Sequence, residues 1–153
     1  MNNRNNKKRQ NVLDKYIQKN GSLDYINSVS VSKLSIGLFK DFAYGNITQE
    51  DISKYQKFFL NSEVLQNLLM AATLKQREAE IHCFAMEAYF TKNPTQNTNP
   101  TALELHKRDY GVYLFFNIIA NAIVAVQHNG DIRILYALQN NLQRCKNYFK
   151  FIV

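Results

Sequence analysis

Residues 132–153 read IRILYALQNNLQRCKNYFKFIV, and this stretch decides the fold class. Leu135, Leu138, Leu142, Cys145, Phe149 and Ile152 follow one another at alternating steps of three and four. On an α-helix that spacing gathers six apolar side chains into one narrow stripe. Arg133, Gln139, Gln143, Arg144, Lys146, Asn147 and Lys150 fill the positions between them. One side must therefore pack, and the other carries cations and amides. The spacing predicts an amphipathic helix from Ile132 to about Phe151.

Immediately before it, Asn129-Gly130-Asp131 predicts a sharp helical hairpin. Gly supplies the left-handed residue that ends one helix, and Asp caps the next. The preceding helix is predicted from about Ala102 to Gln127, with Thr101 as its cap and Glu104 at the capping-box position. Its stretch from Val112 to Val126 is apolar nearly all round, broken by Asn117 and Asn121. Such a helix belongs at the centre of a bundle. It falls short of the roughly 20 apolar residues that a membrane span requires, so no membrane partner is expected.

Thr91 to Pro100 (TKNPTQNTNP) is the clearest loop. A long helix is predicted before it, from Val64 to Phe90, with no Gly or Pro and several Ala. Nearer the N-terminus, Ile52, Tyr55, Phe58 and Phe59 follow a start at Thr48, and Asn61-Ser62 marks a kink or short break. Val31, Leu34, Leu38 and Phe42 give another stripe, stopped by Gly45. Val12, Leu13, Tyr16 and Ile17 suit a short helix that Asn20-Gly21 ends, and Ser22 caps a turn beyond. The whole reads as an all-α antiparallel bundle of three long helices plus shorter N-terminal ones, with no strand. Residues 12–153 form a single helical domain, and residues 1–11 a basic, flexible arm.

The chain has 153 residues, enough for one domain with a real core, and 46% apolar content suits a globular protein. The abundance of Asn, Lys, Ile, Tyr and Phe, without Trp, is what AT-rich codons produce. Phages, plasmids and low-GC bacteria give such compositions. Two cysteines within helical patterns read as reduced, buried thiols. The polar start has no apolar segment of the signal-peptide kind, so a cytoplasmic or virion-associated location is expected.

The net charge of +7 sits at the two ends. Residues 1–20 hold Arg4, Lys7, Lys8, Arg9, Lys15 and Lys19 against Asp14 alone. Arg4, Lys7, Lys8 and Arg9 have the composition of a tail that contacts a phosphate backbone, with salt-dependent affinity. At the other end, Arg144, Lys146 and Lys150 interleave with Tyr148, Phe149 and Phe151, as in surfaces that stack on single strands. The same residues also suit anchoring of the bundle or docking on a neighbouring subunit. Phe151 and Ile152 near the end are expected to meet a partner, together with Leu135, Leu142 and Phe149 of the stripe. Asn117 and Asn121, one turn apart, read as a buried polar pair that fixes helix register in an interface, or as part of a ligand pocket.

The hexapeptide REAEIH, residues 77–82, resembles the short Arg/His signature of the HEPN ribonucleases, small helical bundles that cut RNA as dimers. That resemblance implies a composite site across the dimer, in which Arg77 binds phosphate. His82 would then help activate the 2′-hydroxyl or the leaving group. The plainer reading is a surface ion-pair cluster, since Glu78 lies one turn before His82. TQEDISKY, residues 48–55, resembles the second helix of many helix-turn-helix regulators, which implies duplex DNA binding. His106 and His128 stand alone, so neither a metal nor a cofactor is expected. The expected function is a non-enzymatic, oligomeric assembly or interaction module touching nucleic acid through its basic ends. A phage- or plasmid-type structural or accessory protein, such as a virion connector or packaging component, fits that description. The alternatives are the HEPN-like ribonuclease and the helix-turn-helix regulator.

Overall fold

A computed structural model describes residues 10–152, except for the side chains of residues 97 and 98. The four arm cations Arg4, Lys7, Lys8 and Arg9 lie outside the described residues. The fold is all-α: helices α1 (Val12–Asn20), α2 (Ser28–Tyr44), α3 (Gln49–Lys54), α4 (Gln56–Phe59), α5 (Ser62–Lys92), α6 (Pro100–Asn129) and α7 (Leu138–Leu142) follow in order. Short 3-10 helices occupy Pro94–Thr98, Ile132–Ala137 and Gln143–Phe151, and no strand occurs among the described residues.

Two long antiparallel helices, α5 and α6, form the frame, and α2 and the C-terminal segment pack against it. The core is aromatic at its centre. Phe39 of α2 meets Phe116 of α6 edge-on at 6.2 Å between ring centres. Phe116 meets Phe115 at 5.0 Å, and Phe115 meets Phe149 of the C-terminal segment at 5.9 Å. Edge-to-face geometry sets positive ring edges against negative faces, which adds to the gain from burial. By length and composition alone α6 could cross a membrane. In this fold its inner face, from Phe115 to Val126, is covered by α5 and the C-terminal segment.

The third long helix is broken. Its six stripe residues are all buried as spaced, from 0% exposure at Leu142 and Cys145 to 6% at Phe149. The backbone beneath them changes type, with only Leu138–Leu142 being α-helical. The step of four from Leu138 to Leu142 falls on that α-helical turn. The steps of three before and after it suit a 3-10 helix, in which residues three apart eclipse, whereas the second step of four, from Cys145 to Phe149, lies within the final 3-10 helix and departs from that match. No side chain caps α7 or the final 3-10 helix, and the adjacent Asn140 and Asn141 weaken the helical preference of the segment. The segment approaches α6 closely at Gly111, where an added Cβ would overlap the Tyr148 ring. Only glycine lets that ring sit directly on the α6 backbone.

The helix boundaries follow local chemistry. Asn11 is fully buried and caps α1: its side chain accepts from the backbone N–H of Asp14 at 2.9 Å and donates to the carbonyl of Asn46 at 3.2 Å. The folded domain therefore begins before the expected boundary at residue 12. Asp41 of α2 accepts from the Val12 N–H at 2.8 Å, which ties α1 to α2. Gly45 and Gly130 end α2 and α6 in the left-handed conformation. Thr48 and Asp51 make a reciprocal capping box at α3. Asn61 caps α5 by accepting from the N–H groups of Glu63 and Val64, so the chain starts a fresh helix there. Asn99, with Pro100 in the first turn, caps α6 in place of Thr101.

Leu142 has no exposed surface, and truncating it leaves a void beneath the C-terminal segment. Leu142→Ala is expected to cost about 3 kcal/mol in chemical denaturation. Tyr55, buried and donating to the Asp14 carboxylate, is a second test. Burial first, then the Asp14 hydrogen bond and the nearby carboxylates, push its hydroxyl well above the ordinary tyrosine range. The folded state thus holds a proton that the unfolded chain releases near pH 10.0. Tyr55→Phe is expected to lose about 2 kcal/mol at neutral pH, the worth of a hydrogen bond to a charged group. Because the wild-type contribution is full below that pH and lost above it, the gap between the two proteins should close as the solution is made more alkaline.

Candidate interaction surface

The face of α5 that packs inward is Val64, Leu65, Leu68, Ala72, Ala79 and Cys83. With the core face so assigned, large apolar side chains remain on the opposite side. Met70 is 53% exposed, Leu74 65%, Ile81 56% and Phe84 59%. Arg77 and Ala88, both exposed, complete a run at residues 70, 74, 77, 81, 84 and 88. Steps of four and three in alternation keep that run on one stripe of the helix, the geometry of a coiled-coil seam. A stripe of this kind on a folded monomer is larger than the scattered apolar surface that every protein shows.

The stripe is flanked by charge. Glu78 pairs with Lys75 at 3.7 Å, while Arg77 has no ion pair among the described residues. Beside it runs the outer edge of α6. Gln127 donates to Gln66 at 3.4 Å, and His106 Nε2 lies 3.5 Å from a Glu87 carboxylate oxygen. Those two contacts mark the antiparallel register of the hairpin. One turn from Glu87 stands Phe84, and one turn from His106 stands Tyr110, so register sets these two level along the hairpin. Tyr110 is itself half-exposed, with Tyr113 at 6.2 Å.

The structure places the sequence-derived candidates differently from their expected roles. Leu135, Leu142, Phe149 and Ile152 are buried in the chain's own core, so they offer nothing to a partner surface. Phe151 is half-buried, and both Arg108 (5.4 Å) and Lys150 (5.0 Å) stand within cation–π distance of its ring. Asn117 and Asn121 are bonded to each other at 3.2 Å, yet they lie on the exposed edge of α6. They are therefore not a buried register pair, because the apolar face of α6 turns away from them. Arg144, Lys146 and Lys150 are exposed on the C-terminal segment.

Arg77 and His82 are not brought together within the chain. Five residues of helix turn them apart by about 140°. Arg77 faces outward on the stripe, while His82 borders a cleft of about 230 Å³ with Lys75, Arg108, Asp109 and Phe116. The helix-turn-helix candidate has no free recognition helix. After α3, α4 is four residues long, and its Phe58 and Phe59 are buried. Among the described residues no three His, Cys, Asp or Glu side chains converge as metal ligands would. Burial raises the thiols of Cys83 and Cys145, the former also under the field of Asp109, Glu87 and Glu80, so both stay protonated and unpaired.

A larger groove, about 1020 Å³, runs between the α1–α2 linker and the start of α5. Its floor is apolar, with Ile17, Leu23, Ile26, Phe58 and Val64, and Lys54, Lys57 and Glu63 stand at its rim. It holds no cluster of reactive groups. The outer stripe of α5 is the feature that the sequence-based expectations did not contain. The signal for it was present in the spacing of Met70, Leu74, Ile81 and Phe84. No family model matches this chain, and no curated protein or solved structure matches it either.

Proposed function

We propose that this chain is a non-enzymatic helical assembly module, which works by binding protein surfaces, its own copies first. The observation that carries the reading is the outer face of α5, where four large apolar side chains are each more than half exposed. Removing such a face from water is the dominant favourable term in protein association. A rigid two-helix hairpin is a suitable platform, because its inner face is already fixed by the aromatic core. Self-association is expected to appear as a sedimentation coefficient that rises with concentration across the micromolar range. A single unchanging monomer at tens of micromolar would count against the reading.

Contact with nucleic acid enters as a second part of the same proposal. It rests on the charge at the two ends: the arm cations Arg4, Lys7, Lys8 and Arg9, and the exposed Arg144, Lys146 and Lys150. The setting we propose, on residue bias alone, is a structural or accessory role in a phage- or plasmid-type assembly. Fluorescence anisotropy with labelled single-stranded RNA and duplex DNA over a salt series tests the contact. Neutralising the three C-terminal cations to Gln should lower the salt slope for duplex DNA by about 0.9 for each phosphate that is no longer neutralised. A slope equal to that of the wild type would place the contact elsewhere, and no binding at low salt would remove it.

A further inference from the structure

We propose that α5 pairs with α5 of a second copy across a two-fold axis, antiparallel, with its centre between Arg77 and Ile81. This rests on the reading of the chain as a self-assembling module and specifies where and how it assembles. The seam is Met70, Leu74, Arg77, Ile81, Phe84 and Ala88. Its steps of four, three, four, three and four read the same in both directions. Reversal about the centre therefore brings every seam residue opposite another: Met70 opposite Ala88, Leu74 opposite Phe84, Arg77 opposite Ile81. Large meets small at the ends, and knobs find holes along about 27 Å of helix.

Charge selects this direction over the parallel one. A parallel pair sets Arg77 against Arg77 at the same level within an apolar seam, where like charges repel in low dielectric. In the antiparallel pair the stem of Arg77 lies along Ile81 of the second copy. Its guanidinium reaches toward the second copy's Glu80, next to that position and on the same flank of the seam. Arg77 has no ion pair within its own chain among the described residues, so the second copy supplies one. Opposed helix dipoles favour the same arrangement. More than half of four large side chains is roughly 400 Å² of surface per copy, and with the flanking charges it nears the roughly 800 Å² per partner of standard interfaces. The result is a dimer that exchanges, not a permanent one.

The test uses full-length chains carrying single cysteines, with the wild type as control for the buried native thiols. A mixture of Leu74→Cys chains and Phe84→Cys chains should form a disulfide-linked dimer under mild oxidation. Each alone should not, because residue 74 lies about 15 Å along the axis from its own copy. Linking of Leu74→Cys to itself as readily as in the mixture means a parallel pair and overturns the register. A double variant, Leu74→Glu with Ile81→Glu, should lose dimerisation at concentrations where the wild type dimerises, while its melting temperature matches the wild type's at dilutions where both are monomers, since both side chains are exposed. A double variant that still dimerises overturns the α5 seam yet leaves self-assembly standing through another surface. A wild-type chain that stays monomeric throughout overturns both.

Discussion

The rest of the structure depends on the burial of Phe115 and Phe116 at the middle of α6. Adjacent residues on a helix point about 100° apart, so the two rings serve two neighbours at once. Phe116 receives Phe39 from α2, and Phe115 receives Phe149 from the C-terminal segment. Tyr44 closes the set by meeting Phe149 at 5.1 Å. Elements more than 100 residues apart in sequence are thus held by one contiguous aromatic cluster. Gln143, donating to the carbonyl of Ala43 at 3.2 Å, ties the same two distant segments by a hydrogen bond.

This inward commitment of α6 determines what α5 can offer. With one face of α5 used against α6 and α2, and the other left in water, the hairpin has a dry side and a greasy outer side. The helix carries two apolar faces, separated by charged residues on the flanks. Proteins rarely keep a second apolar face on a helix of 31 residues without a use for it. Arg77 in the middle of that face limits the ways in which it can be covered, which is how a charge confers direction on an otherwise greasy contact.

Much of the fold was legible in the spacing of apolar residues, because burial enforces that spacing. The six residues of the C-terminal stripe, the glycine stops at Gly21, Gly45 and Gly130, and the cap at Thr48 all sit where the pattern put them. The backbone type under the stripe was not legible, since alternating steps of three and four are the signature of an α-helix, yet most of the segment is 3-10. Depth along the stripe was not legible either: Ile152 near the end of the chain read as exposed, yet the core receives it. The Asn117–Asn121 pair was misplaced for a related reason. An apolar helix shows no polar face strong enough to say which side meets solvent. For α5 the difficulty was reversed, as two opposed apolar faces cancel in any single measure of amphipathicity and hide the outer one.

The seating of Tyr148 on Gly111 has a kinetic consequence. The α5–α6 hairpin closes through a short connection and forms early by that measure, whereas the C-terminal segment joins partners far back in the chain. Until that segment arrives, the bare α6 backbone at Gly111 and the ring of Phe115 lack their cover. A chain that folds in this order would expose two greasy sides at that point, one transient and one lasting. The order in which those sides are covered, by its own tail or by another molecule, separates productive folding from aggregation.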